Sequence, residues 1–215
     1  MFHTFHSQLH LTLLFIPQSQ LKKHYSLYHS AQIGTAYCEY LFRTRQLKQY
    51  LQFSLQLVDE FPGDLDVIRK GLTMLYFSGN AAKCTASSSA GANLMNDDKD
   101  SREFRMIGQK WAKNIEAAQT APGASLVELK VLSETVIGVL EQYKSYPVDF
   151  DYYSMSSDHS AALVAITDIA DPKKVAEMNF DLAMAIASQD KLFDANLTAW
   201  FECKKIAKDG NADGC

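Results

Sequence analysis

Leu47, Leu51, Leu55 and Val58 stand four, four and three residues apart, and the pattern stops at Phe61-Pro62-Gly63-Asp64. Steps of three and four place side chains on one stripe of an α-helix, and that stripe must be covered by something apolar. The Pro-Gly pair ends the run. Asp64 restarts the pattern as an N-cap, and Asp66 sits favourably against the N-terminal dipole of a helix opening at Leu65. The same cycle of stripe, breaker and cap recurs from Ser19 almost to the C-terminus. It restricts the fold more than any other feature, because a string of amphipathic helices joined by short turns buries its stripes by packing helix on helix.

The other helices are read in the same way. Ser19 caps a helix bearing Leu21, Tyr25, Tyr28, Ile33, Tyr37, Tyr40 and Leu41, and Thr44 caps the Leu47 helix. Asp100 and Glu103 fit a D-x-x-E capping box for a helix to about residue 119, with Phe104, Ile107, Trp111 and Ile115 on its apolar side. Ser125 and Glu128 form a stronger S-x-x-E box ahead of Leu129, Leu132, Val136, Val139, Leu140 and Tyr143. Asp171-Pro172 is a cap followed by proline at the first helical position, where its missing N–H costs nothing. Helices are also predicted over roughly residues 158–169 and from Asp190 through Phe193, Leu197, Trp200 and Ile206, the last with Lys204, Lys205 and Lys208 near its end and Gly210 as its stop.

The stretch AAKCTASSSAGANLMNDDKD (residues 81–100) is read as a helix rather than a Ser/Gly linker. Gly79, Ala82, Ala86, Ala90 and Leu94 recur at helical steps and would let a neighbouring helix approach closely, so Ala86→Leu is expected to overpack. The expected fold is all-α: a single-domain bundle or stacked antiparallel hairpins of about eight helices. An extended arm over residues 1–18 precedes the helical domain of residues 19–209, and a polar tail covers 210–215. The apolar core of that arm, Leu11 to Ile16, is shorter than the roughly 20 residues a membrane-spanning helix needs.

Net charge is −4, which gives no general reason to expect nucleic acid as a partner. The charge is uneven: residues 1–110 hold 12 Lys+Arg and 9 Asp+Glu, whereas residues 111–215 hold 9 and 16. The acidic C-terminal half suits a partner protein with a basic surface, or simply a solvated exterior. Four cysteines, at 38, 84, 203 and 215, form neither a zinc-ligand spacing nor a disulfide framework. Cys38, Cys84 and Cys203 read as small buried hydrophobes of a reducing, cytoplasmic compartment.

Motifs for chemistry are sparse. The chain has no phosphate-binding glycine loop, no nucleophile elbow and no Glu-x-x-His pair of the di-iron bundles. His3, His6 and His10 share a helical spacing, but no acidic fourth ligand accompanies them, so neither a metal nor a cofactor is expected. Arg102, Arg105, Lys110 and Lys113 read as the wet face of their helix.

The densest polar-aromatic cluster is in YPVDFDYYSMSSD (residues 146–158), read as an irregular loop. Tyr146, Asp149, Asp151, Tyr152, Tyr153, Asp158 and His159 are the predicted partner-binding residues, since tyrosine gives large rigid contact area at low entropic cost. No catalytic residue is assigned. The expected function is a non-catalytic protein-binding module, in its narrowest form a neutralising partner of the immunity-protein or antitoxin type. The alternatives are a metal-assisted hydrolase using Asp149, Asp151 and His159, and a homo-oligomeric regulatory or scaffold bundle.

Overall fold

The structure, a computed structural model, describes residues 18–155 and 157–204. Among the described residues seven helices come first: α1 (Gln18–Tyr28), α2 (Ala31–Arg43), α3 (Leu47–Glu60), α4 (Leu65–Phe77), α5 (Ala81–Asn93), α6 (Asp98–Thr120) and α7 (Leu126–Gln142). Strand β1 (Pro147–Met155), strand β2 (Ser160–Thr167), helix α8 (Pro172–Ala187), a single 3₁₀ turn (Asp190–Leu192) and strand β3 (Leu197–Cys203) complete the order. The protein is predominantly helical. It is not all-α, because three of its elements form a sheet in the order β1-β2-β3.

Several expected signals act where they were placed. Asp64 accepts from the backbone N–H groups of Asp66 and Val67, both at 3.0 Å. Ser125 and Glu128 make the reciprocal capping box that opens α7. Asp171 caps α8 ahead of Pro172. Other boundaries move, each for a visible reason. The helix expected from Ser19 to Leu41 breaks at His29, which takes a φ of 40° before Ser30. The break brings Tyr25 of α1 and Tyr37 of α2 onto one ring, Phe53, each edge-on at 4.9 Å. Thr44 turns back and donates to the Tyr40 carbonyl at 2.8 Å, closing α2 rather than opening α3. Helix α6 is capped by Asp97, which takes the N–H groups of Lys99 and Asp100, so Asp100 lies in its first turn.

Residues 81–93 are helical, but the tightly packed face differs from the expected one. Ala82, Ala86 and Leu94 are exposed, and Ala81, Cys84, Ser88, Gly91 and Ala92 are buried. Close approach does occur, against α6: a Cβ on Gly108 would lie 2.1 Å from Ser88. Overpacking therefore belongs to Gly108 and Ser88, and Ala86→Leu would place its side chain in solvent.

The largest correction concerns residues 147–203. The expected loop is β1, the helix over 158–169 is β2, and the last helix is a 3₁₀ turn followed by β3. Strands β1 and β2 pair antiparallel, with Asp151 opposite Val164; β3 runs parallel to β2, and α8 makes the crossover. Ala161 to Ala165 are all buried, because β2 is the central strand and both of its faces are covered. A strand buried on both faces shows no alternation and many alanines, which is why it resembles a helix in sequence. Helix α8 also guards the rim of the sheet. The Asn179 amide accepts from Phe201 N–H at 2.6 Å and donates to the Phe201 carbonyl at 3.0 Å.

Residues 1–17 of the expected N-terminal arm with its three histidines, the expected end of the last helix with Lys205, Ile206, Lys208 and Gly210, Cys215 and the polar tail lie outside the described residues, and Gln18 opens α1. One hydrophobic cluster runs through both helices and sheet, from Leu47 and Leu75 to Leu163 and Phe201. Among the described residues no helix is long and apolar enough to cross a membrane.

Candidate functional site

The end of α4 organises the site. Gly79, at φ 73°, turns the chain out of the helix, its N–H bonding to Tyr76 O and the Asn80 N–H to Leu75 O. This Schellman closure uses a conformation that suits glycine and leaves Tyr76 and Phe77 in the final turn. The Phe77 carbonyl, free of any helical partner, accepts from Tyr152 Oη of β1 at 2.8 Å and from Ser133 Oγ of α7. The helix end is thereby bolted to the sheet and to α7.

One residue along β1, Asp151 faces the other way. Its Oδ1 accepts from the Tyr76 hydroxyl, from Asn114 Nδ2 at 3.0 Å and from the Tyr152 N–H at 2.8 Å. Trp111 stacks on Tyr76, with centroids 4.8 Å apart and planes 7° off parallel, and Phe150 lies 5.6 Å from the same ring. Burial, reinforced by the Asp151 carboxylate, pushes the Tyr76 phenol well above its usual 10.0, so it stays a donor.

This cluster forms one wall of a groove of about 680 Å³ between the sheet and helices α4 and α6. The floor is apolar, with Phe42, Leu47, Met74, Phe77 and Ile137. Arg69 and Lys70 of α4 and Lys110 of α6 line the helical side; Asp149, Asp151 and Glu202 line the strand side. Strand register places those carboxylates together, since Asp151 is opposite Val164 and Asp149 is opposite Ile166, which in turn faces Glu202. No ion pair joins the two sides within 4 Å among the described residues, so opposite charges are held apart across an open space. The volume falls in the range of roughly 300–1,000 Å³ usual for ligand sites.

The predicted partner-binding residues divide. Asp149, Asp151 and Tyr153 line the groove. Tyr152 is turned into the core, where burial raises its phenol above the ordinary value. Tyr146 packs on Phe42 at 5.5 Å and lies under Arg45 at 5.7 Å, and its N–H bonds Asp168 at 3.2 Å. Asp158 and His159 are exposed at the β1–β2 turn, where His159 takes a φ of 48°. Four residues of strand, about 13 Å, separate Asp151 from Met155 at that turn. The two carboxylates and the imidazole proposed for metal-assisted hydrolysis therefore do not converge. Among the described residues no group of three or more His, Cys, Asp or Glu side chains is placed to hold a metal ion.

Several site residues were not singled out from the sequence: Arg69, Lys70, Tyr76, Asn114 and Glu202. Two carried a signal. Tyr76 stands inside a strongly apolar run, where a phenol hydroxyl must find a partner. Asn114 falls between Trp111 and Ile115, a polar side chain on the inward side of a helix. The thiols of Cys38 and Cys84 are buried away from the groove and pushed up by burial, to about 11 and about 12, which makes them inert rather than nucleophilic. The chain matches no family model, no curated protein and no solved structure.

Proposed function

We propose that the protein is a non-catalytic protein-binding module and that its binding site is the groove between the sheet and helices α4 and α6. The supporting observation is the charge arrangement. Arg69, Lys70 and Lys110 face Asp149, Asp151 and Glu202 across an apolar, aromatic floor without pairing. A partner segment with a basic group toward the strands and an acidic group toward the helices satisfies both sides, while its apolar part covers Trp111 and Phe150. Buried aromatic anchors in such a setting carry most of the binding energy, and the charges fix register and encounter rate.

The narrower form is a cytoplasmic neutralising partner, of the immunity-protein or antitoxin type, that covers a basic site on a toxin. The exposed carboxylates of Asp149 and Glu202 are the groups that would meet it. The test is site-specific photocrosslinking from position 153, at the groove rim, in the native host. A discrete protein adduct is expected, and it should disappear when Arg69 and Lys110 are both changed to Glu. No adduct, or one indifferent to those changes, removes the groove as the site. For the narrower form, co-expression with a toxin encoded nearby should restore growth, and Asp149→Lys with Glu202→Lys should abolish the rescue. Absence of both rescue and a complex on a sizing column removes that form.

A further inference from the structure

Helix α8 is apolar on two sides. Its inner stripe, Val175, Met178 and Leu182, is buried. A second stripe, Ala176, Phe180, Ala183, Met184 and Ala187, is exposed among the described residues, with Phe180 at 68% and Met184 at 57%. At 3.6 residues per turn the two stripes are centred roughly 150° apart, so the second cannot reach the body that buries the first. Lys173, seven residues before Phe180, lies at the N-terminal end of this outer face.

We infer that the outer stripe of α8 is the interface of a two-fold homodimer, in which α8 of one copy packs antiparallel on α8 of the other. The stripe is complementary to itself when reversed. With the axis between residues 181 and 182, Phe180 of each copy meets Ala183 of the other, and Ala176 meets Ala187. The two-fold axis repeats the Phe180–Ala183 contact, so a large side chain falls on a small one on each side of it, as an isologous contact requires.

Charge selects the same orientation. The first turn of α8 holds Lys173 and Lys174 and no acid, and its last turn holds no basic residue. Lysines at an N-terminus oppose the helix's own dipole. In an antiparallel pair they lie beside the partner's negative C-terminal end, next to the exposed Asp190. An aromatic side chain buries about 150–250 Å² when covered, so Phe180 from both copies supplies on the order of 250 Å². Met184, the three alanines and the lysine stems extend this toward the roughly 1,000 Å² of a specific interface. This contact lies on a different element from the groove and stands or falls independently of it.

The test is sedimentation velocity of the full chain across a wide concentration range, with melting followed in parallel. A monomer–dimer equilibrium is expected. Ala183→Glu, an exposed change that leaves the fold intact, should raise the dimer Kd at least about tenfold. Lys173→Glu with Lys174→Glu should weaken the dimer yet raise the melting temperature of the dilute monomer, because acids favour a helix N-terminus. Adding Asp190→Lys should recover part of the lost dimer. A monomer at every concentration overturns the inference, and so does a dimer unaffected by Ala183→Glu.

Discussion

Two of the molecule's tyrosine–carboxylate hydrogen bonds place the same pair of groups in different surroundings. At the α1–α3 corner Tyr25 donates to Glu60, whose other oxygen takes Gln56 Nε2 at 2.6 Å, with His29 3.8 Å away. At the α4–β1 junction Tyr76 donates to Asp151, which also holds Asn114 and the Tyr152 N–H. Both tyrosines are buried, at 5% and 2% exposure. The carboxylates differ: Glu60 is exposed and Asp151 is half-buried against a stacked indole. Water can replace Glu60 for its partners, but it cannot readily replace Asp151. One pair decorates a corner; the other holds a helix end, a helix middle and a strand in register.

The largest expected effect follows from that difference. Asp151→Ala leaves the Tyr76 hydroxyl without its acceptor and leaves Asn114 Nδ2 and the Tyr152 N–H only their longer 3.3 Å bonds to Tyr76 Oη; it should cost about 2–3 kcal/mol, whereas Glu60→Ala should cost less than about 1 kcal/mol. Urea denaturation measures both, and equal losses would break the comparison. Next in size, Tyr76→Phe should cost about 1–2 kcal/mol and Tyr25→Phe about half as much. Both phenols are raised above their ordinary 10.0, chiefly by burial. Their contributions are therefore fully present below pH 10 and lost only as pH climbs through the raised values, so these losses should be the same at pH 7 and pH 9. A loss that shrinks by pH 9 would mean that the phenol ionises early and is not buried as described.

The smallest effect is on the acid side. Hydrogen bonds from Tyr25 first and Gln56 second hold the Glu60 carboxyl below its ordinary 4.5. A depressed carboxylate stabilises the fold above pH 4.5 and loses that contribution as pH falls through its folded value. The stability advantage over Glu60→Gln should therefore fade below pH 4.5, by on the order of a few tenths of a kcal/mol because the group is exposed. An advantage that persists at pH 3 would show that the carboxylate is not what Tyr25 requires.

The helical part of the chain was legible because its signals are local. A cap, a stripe and a breaker lie within a dozen residues at Asp64, Ser125 and Asp171, and each acts where it was read. The sheet was not legible, since its signals depend on neighbours far along the chain. The alanines of β2 read as helix because both of its faces are covered, by elements that no local window contains. In β1 the signal was present and missed: Val148, Phe150 and Tyr152 alternate with Asp149, Asp151 and Tyr153, a period of two. Recognising that alternation would have put Asp149 and Asp151 on one face and Tyr152 on the other, as the structure has them. The groove needed more, because Glu202 joins Asp149 and Asp151 on the strand side only through the parallel pairing of β2 with β3.

That pairing has a consequence at the margins of the sheet. A bare strand margin is a template on which a foreign chain can lay itself down, and growth of that kind has no natural stopping point. Here the amide of Asn179 imitates a missing strand, meeting both backbone groups of Phe201, and on the far side Tyr76 and Asp151 take the Tyr152 N–H. At these two positions the sheet is finished by side chains of its own chain, so recruitment of another strand there would first have to displace them.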